Sequence, residues 1–240
     1  KRLKVPLVCH ESDITMGLAN RLTKNKCKLI LTAFEETAQG IENGVYVGQP
    51  VRDEVLINKR AYALKKYGLS GKRPVVLVIG GSSGSKAIND LILDNLDALI
   101  SKYDIIHICG DKHINGLKRR GYVQLGFETD MAAAYSASDL CVSRCGAGVA
   151  FELFARGIPT VFIPLPKACS RGDQIENAAY FEKRGLSLTL TEEQACIRAL
   201  EKKLEYLEKN AALFKKRAAA LDTVGAAKRV ADIVCAAAAK

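Results

Sequence analysis

Two short stretches of this sequence place glycine and serine where main chain, rather than side chain, would do the chemistry. "VVLVIGGSSGSKAIND" hands an apolar run to a helical pattern through Gly80, Gly81, Ser82 and Gly84. "SRCGAGVAFELFARG" does the same from Ser143, with Gly146, Ala147 and Gly148 ahead of a single acid, Glu152. Glycine lets the backbone approach a ligand closely, and the first N–H groups of a helix have no partner within it, so each turn can hold a phosphate. Two together can grip a diphosphate. Glu152, a turn into its helix, can accept hydrogen bonds from vicinal hydroxyls such as those of ribose, or simply complement the positive helix start. GGSSGS is not the G-x-G-x-x-G dinucleotide fingerprint, and a tight βα turn with no ligand uses the same residues. A third stretch, "PLPKACSRGDQIENAAYFEKRG", starts a helix near Asp173. Gln174 and Asn177 in its first turn suit sugar hydroxyls, and also suit any helix start.

The elements that must position these turns follow a repeated βα pattern. "VPLVCH", "CKLILTAF", "PVVLVIGG", "YDIIHICG", "GYVQLGF", "SDLCVSR" and "IPTVFIPLP" read as strands, with helical stretches such as "MGLANRLTK", "EETAQG", "SKAINDLILDNLDALI" and "QIENAAYFEKRG" between them. Strands this apolar are covered on both faces, which predicts an α/β fold with parallel sheets. Gly48 and Pro50 interrupt the pattern in "VYVGQPVRDE", ahead of a long polar helix, "RDEVLINKRAYALKKYG". The break divides residues 1–50, too few strands for an independent core, from residues 51–224, enough for a complete doubly wound domain. Residues 225–240 form a terminal helix packing back toward the first part. After "LSLTLT" the chain is helical, with Thr191 as N-cap and Glu192 and Glu193 at the positive helix start.

Composition narrows the class. With 48% hydrophobic and 26% charged residues, the 240-residue chain is globular, and no apolar run approaches the roughly 20 residues a membrane span needs. "KRLKVPLVCHE" reads as a buried strand rather than a secretory signal, which places the protein in the cytoplasm. The eight cysteines are scattered without a C-x-x-C pair, so they read as reduced core residues and not as zinc ligands. A net charge of +10 would suit nucleic acid, an anionic membrane or a phosphorylated small molecule, or merely reflect solvated helix faces. The basic clusters "KRLK", "RLTKNKCK" and "KKRAAA" lack the interleaved aromatics of a single-strand binder.

Taken in order, "HESDITMGLANR", "VGQPVRDEVL", "IGGSSGSKAIND", "GFETDMAAAYSASDLCVSRCGAGVAFEL", "GIPTVFIPLP" and "DQIENA" resemble the MurG family of peptidoglycan glycosyltransferases over nearly the whole chain. "DMAAAYSASDL" followed by "SRCGAG" and an E-L pair is the most specific match. The resemblance implies two Rossmann-like domains of the GT-B type, the N-terminal one incomplete, since the family carries a glycine-rich loop ending in histidine ahead of "HE". It implies transfer of N-acetylglucosamine from UDP-N-acetylglucosamine to lipid I, with inversion, without metal or cofactor and without nucleic acid, at the inner face of the bacterial membrane. By position, Ser82 meets the donor phosphates and Arg52 and Arg144 lie near the nucleotide. The backbone of Phe127 and Glu128 meets uracil. Ala147, Gly148, Val149, Ala150, Phe151 and Glu152 wrap the ribose and diphosphate, with Glu152 on the ribose hydroxyls. Gln174 holds the sugar. His10 and Glu11 match the family motif and stand as general-base candidates, although His10 also simply ends an apolar strand. The chain departs from the pattern at Asp13, where the family has an asparagine that bears on sugar recognition. It departs again at Asp173, in place of glutamine or histidine, and the loop ahead of it reads one residue longer. A transferase with another UDP-sugar or acceptor, or a non-catalytic UDP-sugar-binding module, accommodates the same residues.

Overall fold

The computed structural model describes residues 5–239. The basic stretch "KRLK" at residues 1–4 lies outside them. The strands form two sheets, parallel in every pairing. The smaller orders β1 (Val8–Glu11), β2 (Leu29–Thr32) and β3 (Gly44–Tyr46) side by side. α1 (Leu18–Thr23) and α2 (Glu35–Gln39) make its connections. Central β2 is buried from Ile30 onward, whereas β1 lies at the sheet edge, half-buried up to Glu11, and Val5 and Leu7 before it are exposed. The buried strand expected from "VPLVCH" is therefore shorter and more open, because it has a neighbour on one side only.

The larger sheet contains β4 (Val75–Ile79), β5 (Asp104–Ile108), β6 (Tyr122–Leu125), β7 (Leu140–Ser143), β8 (Thr160–Phe162) and β9 (Leu188–Thr189) in the spatial order β6-β5-β4-β7-β8-β9. This is the doubly wound order, and it reverses direction between β4 and β7. All of β4 is buried, and its alternating side chains serve two cores. Val75, Leu77 and Ile79 pack with α3 (Arg60–Lys66), α6 (Met131–Ala137), α7 (Ala147–Ala155) and α8 (Asp173–Lys183). Val76 and Val78 pack with α4 (Lys86–Leu93), α5 (Leu96–Lys102), α9 (Ile197–Lys209) and α10 (Ala211–Ala219).

Three helices differ from expectation. The long polar helix after Arg52 is a 3-10 turn at Asp53–Leu56 followed by α3, because the Asn58 side chain accepts the Arg60 N–H (3.3 Å) and holds a turn between them. "SKAINDLILDNLDALI" breaks into α4 and α5 at Asn95, whose amide donates back to Leu91 O (2.8 Å). Thr191 precedes only a 3-10 turn at Glu192–Gln194, and α9 starts at Ile197. The cysteines also divide. Cys109, Cys141 and Cys145 are buried with the strand ends, whereas Cys169, Cys196 and Cys235 are exposed in loops and on a helix face.

The two sheets are joined by packing as well as by chain. Phe34, after β2, stacks edge-on against Phe151 (centroids 5.4 Å apart) and Tyr180 (4.9 Å). α11 (Ala226–Ala238) returns across the first sheet, with Arg229 Nε donating to Val47 O (3.0 Å) and Lys28 Nζ to Ala237 O (3.3 Å).

Candidate functional site

The last residues of β4 and β7, Ile79 and Ser143, are register partners. The two glycine turns therefore leave neighbouring strand ends at the point where strand order reverses, the crevice where doubly wound sheets bind ligands. In the first turn a Cβ on Gly80 would lie 2.5 Å from Ser85 N, and one on Gly84 (φ +77°) only 1.9 Å from Cys109 O. Those glycines are demanded by the turn itself. Gly81 (φ +91°) faces open space, and Ser82 beside it is exposed. Ser85 caps α4 by accepting the Ile88 N–H (3.4 Å).

α7 opens without a side-chain cap at Gly146, and a Cβ on Gly146 or Gly148 would meet nothing within 4 Å. Internal packing demands glycine at neither position, so the bare helix start faces free space with its N–H groups unpartnered by any capping side chain. Ala147, Ala150 and Phe151 are buried, and Val149 is half-buried against the same core. Of the stretch expected to wrap a ligand, the first-turn backbone and Glu152 remain to do so.

Glu152 is held from two sides. Its Oε1 accepts from Arg52 Nε (3.0 Å) and its Oε2 from the Tyr135 hydroxyl (2.7 Å). Burial and the adjacent carboxylate push the Tyr135 phenol far up, so it stays a donor. Tyr135 was missed by sequence reasoning although it lies inside "DMAAAYSASDL", because a tyrosine in an alanine-rich helix reads as core. Arg144 is 8% exposed and does not point freely at a ligand. Its guanidinium donates to Ile163 O (2.9 Å), Pro164 O (3.1 Å) and Ser85 Oγ (2.7 Å), and pairs with Glu192. Arg144 thus braces the second glycine turn against the cap of the first.

On the next rim, Phe127 is 59% exposed and Glu128 is buried beside it. Burial opposes charge on Glu128, but Lys66 (2.9 Å), the Asp130 N–H (2.7 Å) and the Tyr67 hydroxyl (2.8 Å) outweigh it and hold the carboxyl below its usual range. The Glu128 side chain therefore shapes the turn.

On the first sheet, His10 Nε2 lies 3.2 Å from Gly48 O and its Nδ1 3.3 Å from Ser12 Oγ. The Glu11 carboxylate accepts from Asp13 N (3.1 Å), Gly17 N (2.7 Å) and Asn20 Nδ2 (2.9 Å). Both groups shape the loop after β1, and any base role requires one of these bonds to open. Asp13 accepts from Asn177 Nδ2 (2.9 Å) and Arg171 (2.6 Å). Gln174 Oε1 accepts from Cys145 N (3.2 Å) and Leu165 N (3.1 Å), which turns its amide N–H₂ group away from those contacts.

A reversing parallel sheet with paired glycine turns, beside a second parallel sheet, is an α/β fold of the GT-B glycosyltransferase type. Residues 75–234 match the glycosyltransferase family 28 C-terminal domain, and the chain belongs to that family. It is 45% identical over 212 residues to the UDP-N-acetylglucosamine--N-acetylmuramyl-(pentapeptide) pyrophosphoryl-undecaprenol N-acetylglucosamine transferase of Clostridium botulinum (strain Loch Maree / Type A3), covering 86% of this chain and 60% of that protein. The Clostridium tetani (strain Massachusetts / E88) protein of the same name is 41% identical, with 86% and 59% covered. The chain thus spans about 60% of the length of such relatives. Among solved structures, Acinetobacter baumannii MurG superposes with TM-score 0.71 at 25% identity, covering 97% of this chain and 67% of that one. The calicheamicin glycosyltransferase CalG4 (TM-score 0.68, 14% identity, covering 98% and 68%) shares the fold.

Proposed function

We propose that this chain binds UDP-N-acetylglucosamine at the β4/β7 switch point and forms the donor side of a transferase that carries N-acetylglucosamine to lipid I, giving lipid II for peptidoglycan. One observation carries the reading: two glycine turns side by side, with Glu152 held by Arg52 and Tyr135 in the helix that the second turn starts. The unpartnered N–H groups of α7 and the Gly81–Ser82 backbone take the diphosphate, and Glu152 takes the ribose hydroxyls. Attack of the muramyl 4-hydroxyl on the anomeric carbon inverts it and expels UDP. The charge developing on the leaving diphosphate is met by helix termini and by Arg52, with no metal ion required. Arg144 acts from behind, by holding the two turns together. Residues 51–224 make the donor domain and residues 1–50 belong to the acceptor side, closed by the terminal helix.

Attachment to the inner face of the bacterial membrane is part of the proposal. α1 buries none of its residues, and Leu18 and Leu22 are exposed beside Arg21, Lys24 and Lys26. Apolar side chains ringed by cations suit an anionic lipid surface. Sedimentation with phosphatidylglycerol vesicles, and loss of it in Leu18→Ser/Leu22→Ser, tests this.

The donor reading is tested by isothermal titration with UDP-N-acetylglucosamine, with UDP-glucose and NAD as controls. Selective binding of the first supports it, and binding unaltered by EDTA supports the metal-free reading. Equal binding of both sugars favours the second reading, another hexose donor, which Asp13 and Asp173 motivate. Absence of UDP-sugar binding refutes both.

A further inference from the structure

The departures from the MurG pattern, 160 positions apart in the chain, meet in space. Asp13 replaces the asparagine of that pattern, and Asp173 follows the lengthened loop that carries Arg171. Arg171 Nη2 donates to Asp13 Oδ2 at 2.6 Å, and its Nε lies 3.5 Å from Asp173 Oδ1. The guanidinium is laid against the loop after β1, where a Cβ on Gly17 would come 2.9 Å from Nη1. The other Asp13 oxygen accepts from Asn177 Nδ2 (2.9 Å), and the Asn177 Oδ1 receives the Ile14 N–H (3.0 Å). Asn177 is fully buried and its amide also reaches Cys145 O (3.3 Å), in the second glycine turn. A single guanidinium therefore bridges two acids, Asp13 and Asp173, with Asp13 tied through Asn177 to the turn that starts α7.

A donor diphosphate is anionic. A carboxylate standing where the pattern has a neutral amide repels it across a cleft that screens charge less than water does. Arg171 is placed to cancel that repulsion. We propose that Arg171 is a positioning residue for the donor: it neutralises Asp13, so that an acid can occupy the asparagine position without expelling the diphosphate, and it fixes the loop before α8 against the loop after β1. The assignment rests on the donor site proposed above. In this reading the charge of Arg171 compensates that of Asp13. The competing possibility is an exposed ion pair of no energetic consequence.

The experiment is a double-mutant cycle on the 240-residue chain, with UDP-N-acetylglucosamine binding measured for wild type, Arg171→Gln, Asp13→Asn and the double variant. Arg171→Gln is expected to weaken binding about tenfold, because Asp13 is left uncompensated. Raising salt to about 0.5 M should shrink that loss, as screening shortens the reach of the exposed charge. Asp13→Asn/Arg171→Gln, which restores the neutral amide, should recover affinity to within about threefold of wild type. A merely structural tie would leave the double variant at least as weak as Arg171→Gln and would not respond to salt. That outcome, or unchanged affinity in Arg171→Gln, overturns the proposal. If the wild type binds neither UDP nor UDP-N-acetylglucosamine, the donor reading fails and the donor role of Arg171 fails with it. The loop contact is judged separately by thermal unfolding of the same four proteins, where non-additive midpoints sustain it and additive midpoints remove it.

Discussion

At the scale of single residues, the chemistry turns on groups whose hydrogen bonds are already spoken for. Glu152 has one cationic and one phenolic partner, so its carboxyl group is held in place and aimed. Glu152→Ala should weaken UDP-N-acetylglucosamine binding by roughly 1.5–3 kcal/mol, the worth of a charged hydrogen bond, and unchanged affinity by titration would remove it from the site. Tyr135→Phe should cost a smaller amount, about 0.5–1.5 kcal/mol, because the carboxylate survives but swings. His107 carries a different consequence. Its Nδ1 accepts from the Tyr122 hydroxyl and its Nε2 donates to Asn89 Oδ1, both at 2.9 Å, since the Asn89 amide N–H₂ group is spent on Cys109 O. Burial pulls the imidazole from 6.5 to about 4. The unfolded ring takes a proton below about pH 6.5 that the folded ring refuses until about pH 4, so stability is full above that window and falls through it, by roughly 3 kcal/mol at its foot. Urea unfolding from pH 7 to 4 should show this slope in the wild type and a shallower one in His107→Gln.

At the scale of elements, glycines that look alike in sequence separate into two kinds. Gly84 has no room for a methyl group and sits in the left-handed region, so Gly84→Ala should destabilise the fold by more than about 2 kcal/mol. Gly148 lies in the first turn of α7 with open space around it. Gly148→Ala should leave unfolding unchanged or raise stability by up to about 1 kcal/mol through helix propensity, yet weaken donor binding by crowding the helix start. Thermal denaturation and titration of the same two variants separate the roles. A stable Gly84→Ala would mean that the turn is looser than its contacts with Cys109 indicate.

At the scale of the whole molecule, the first sheet has too few strands to stand alone and is held by an aromatic cluster and by α11. Phe34 is 1% exposed and touches Phe151, Tyr180 and Phe181 of the larger unit. Phe34→Ala should cost about 3–5 kcal/mol in unfolding, with the loss concentrated between the sheets. Hydrogen exchange should show it as early opening of β1–β3, and uniform protection loss across both sheets would contradict that picture.

Much of the site was legible along the chain because its signals are local. Glycine at a strand end, an acid a turn into a helix and alternating apolar runs are set by backbone sterics and by periods of a few residues. They were enough to mark both turns, Glu152 and the α/β class. The role of Arg144 was not legible, since its partners Ser85 and Ile163 follow β4 and β8 and only strand order brings them beside the end of β7. Tyr135 under Glu152 likewise needed the packing of α6 against α7, whereas the loop-shaping bonds of Glu11 and the break in the helix after Arg52 come from nearby side chains that carry no periodic signal. The sequence by itself determined the α/β class, the apolar strands of the larger parallel sheet and the position of the two glycine turns. The tertiary structure alone decided which turns adjoin and which charges cancel, because those contacts depend on how apolar faces far apart in the chain pack together, and no local pattern encodes that choice.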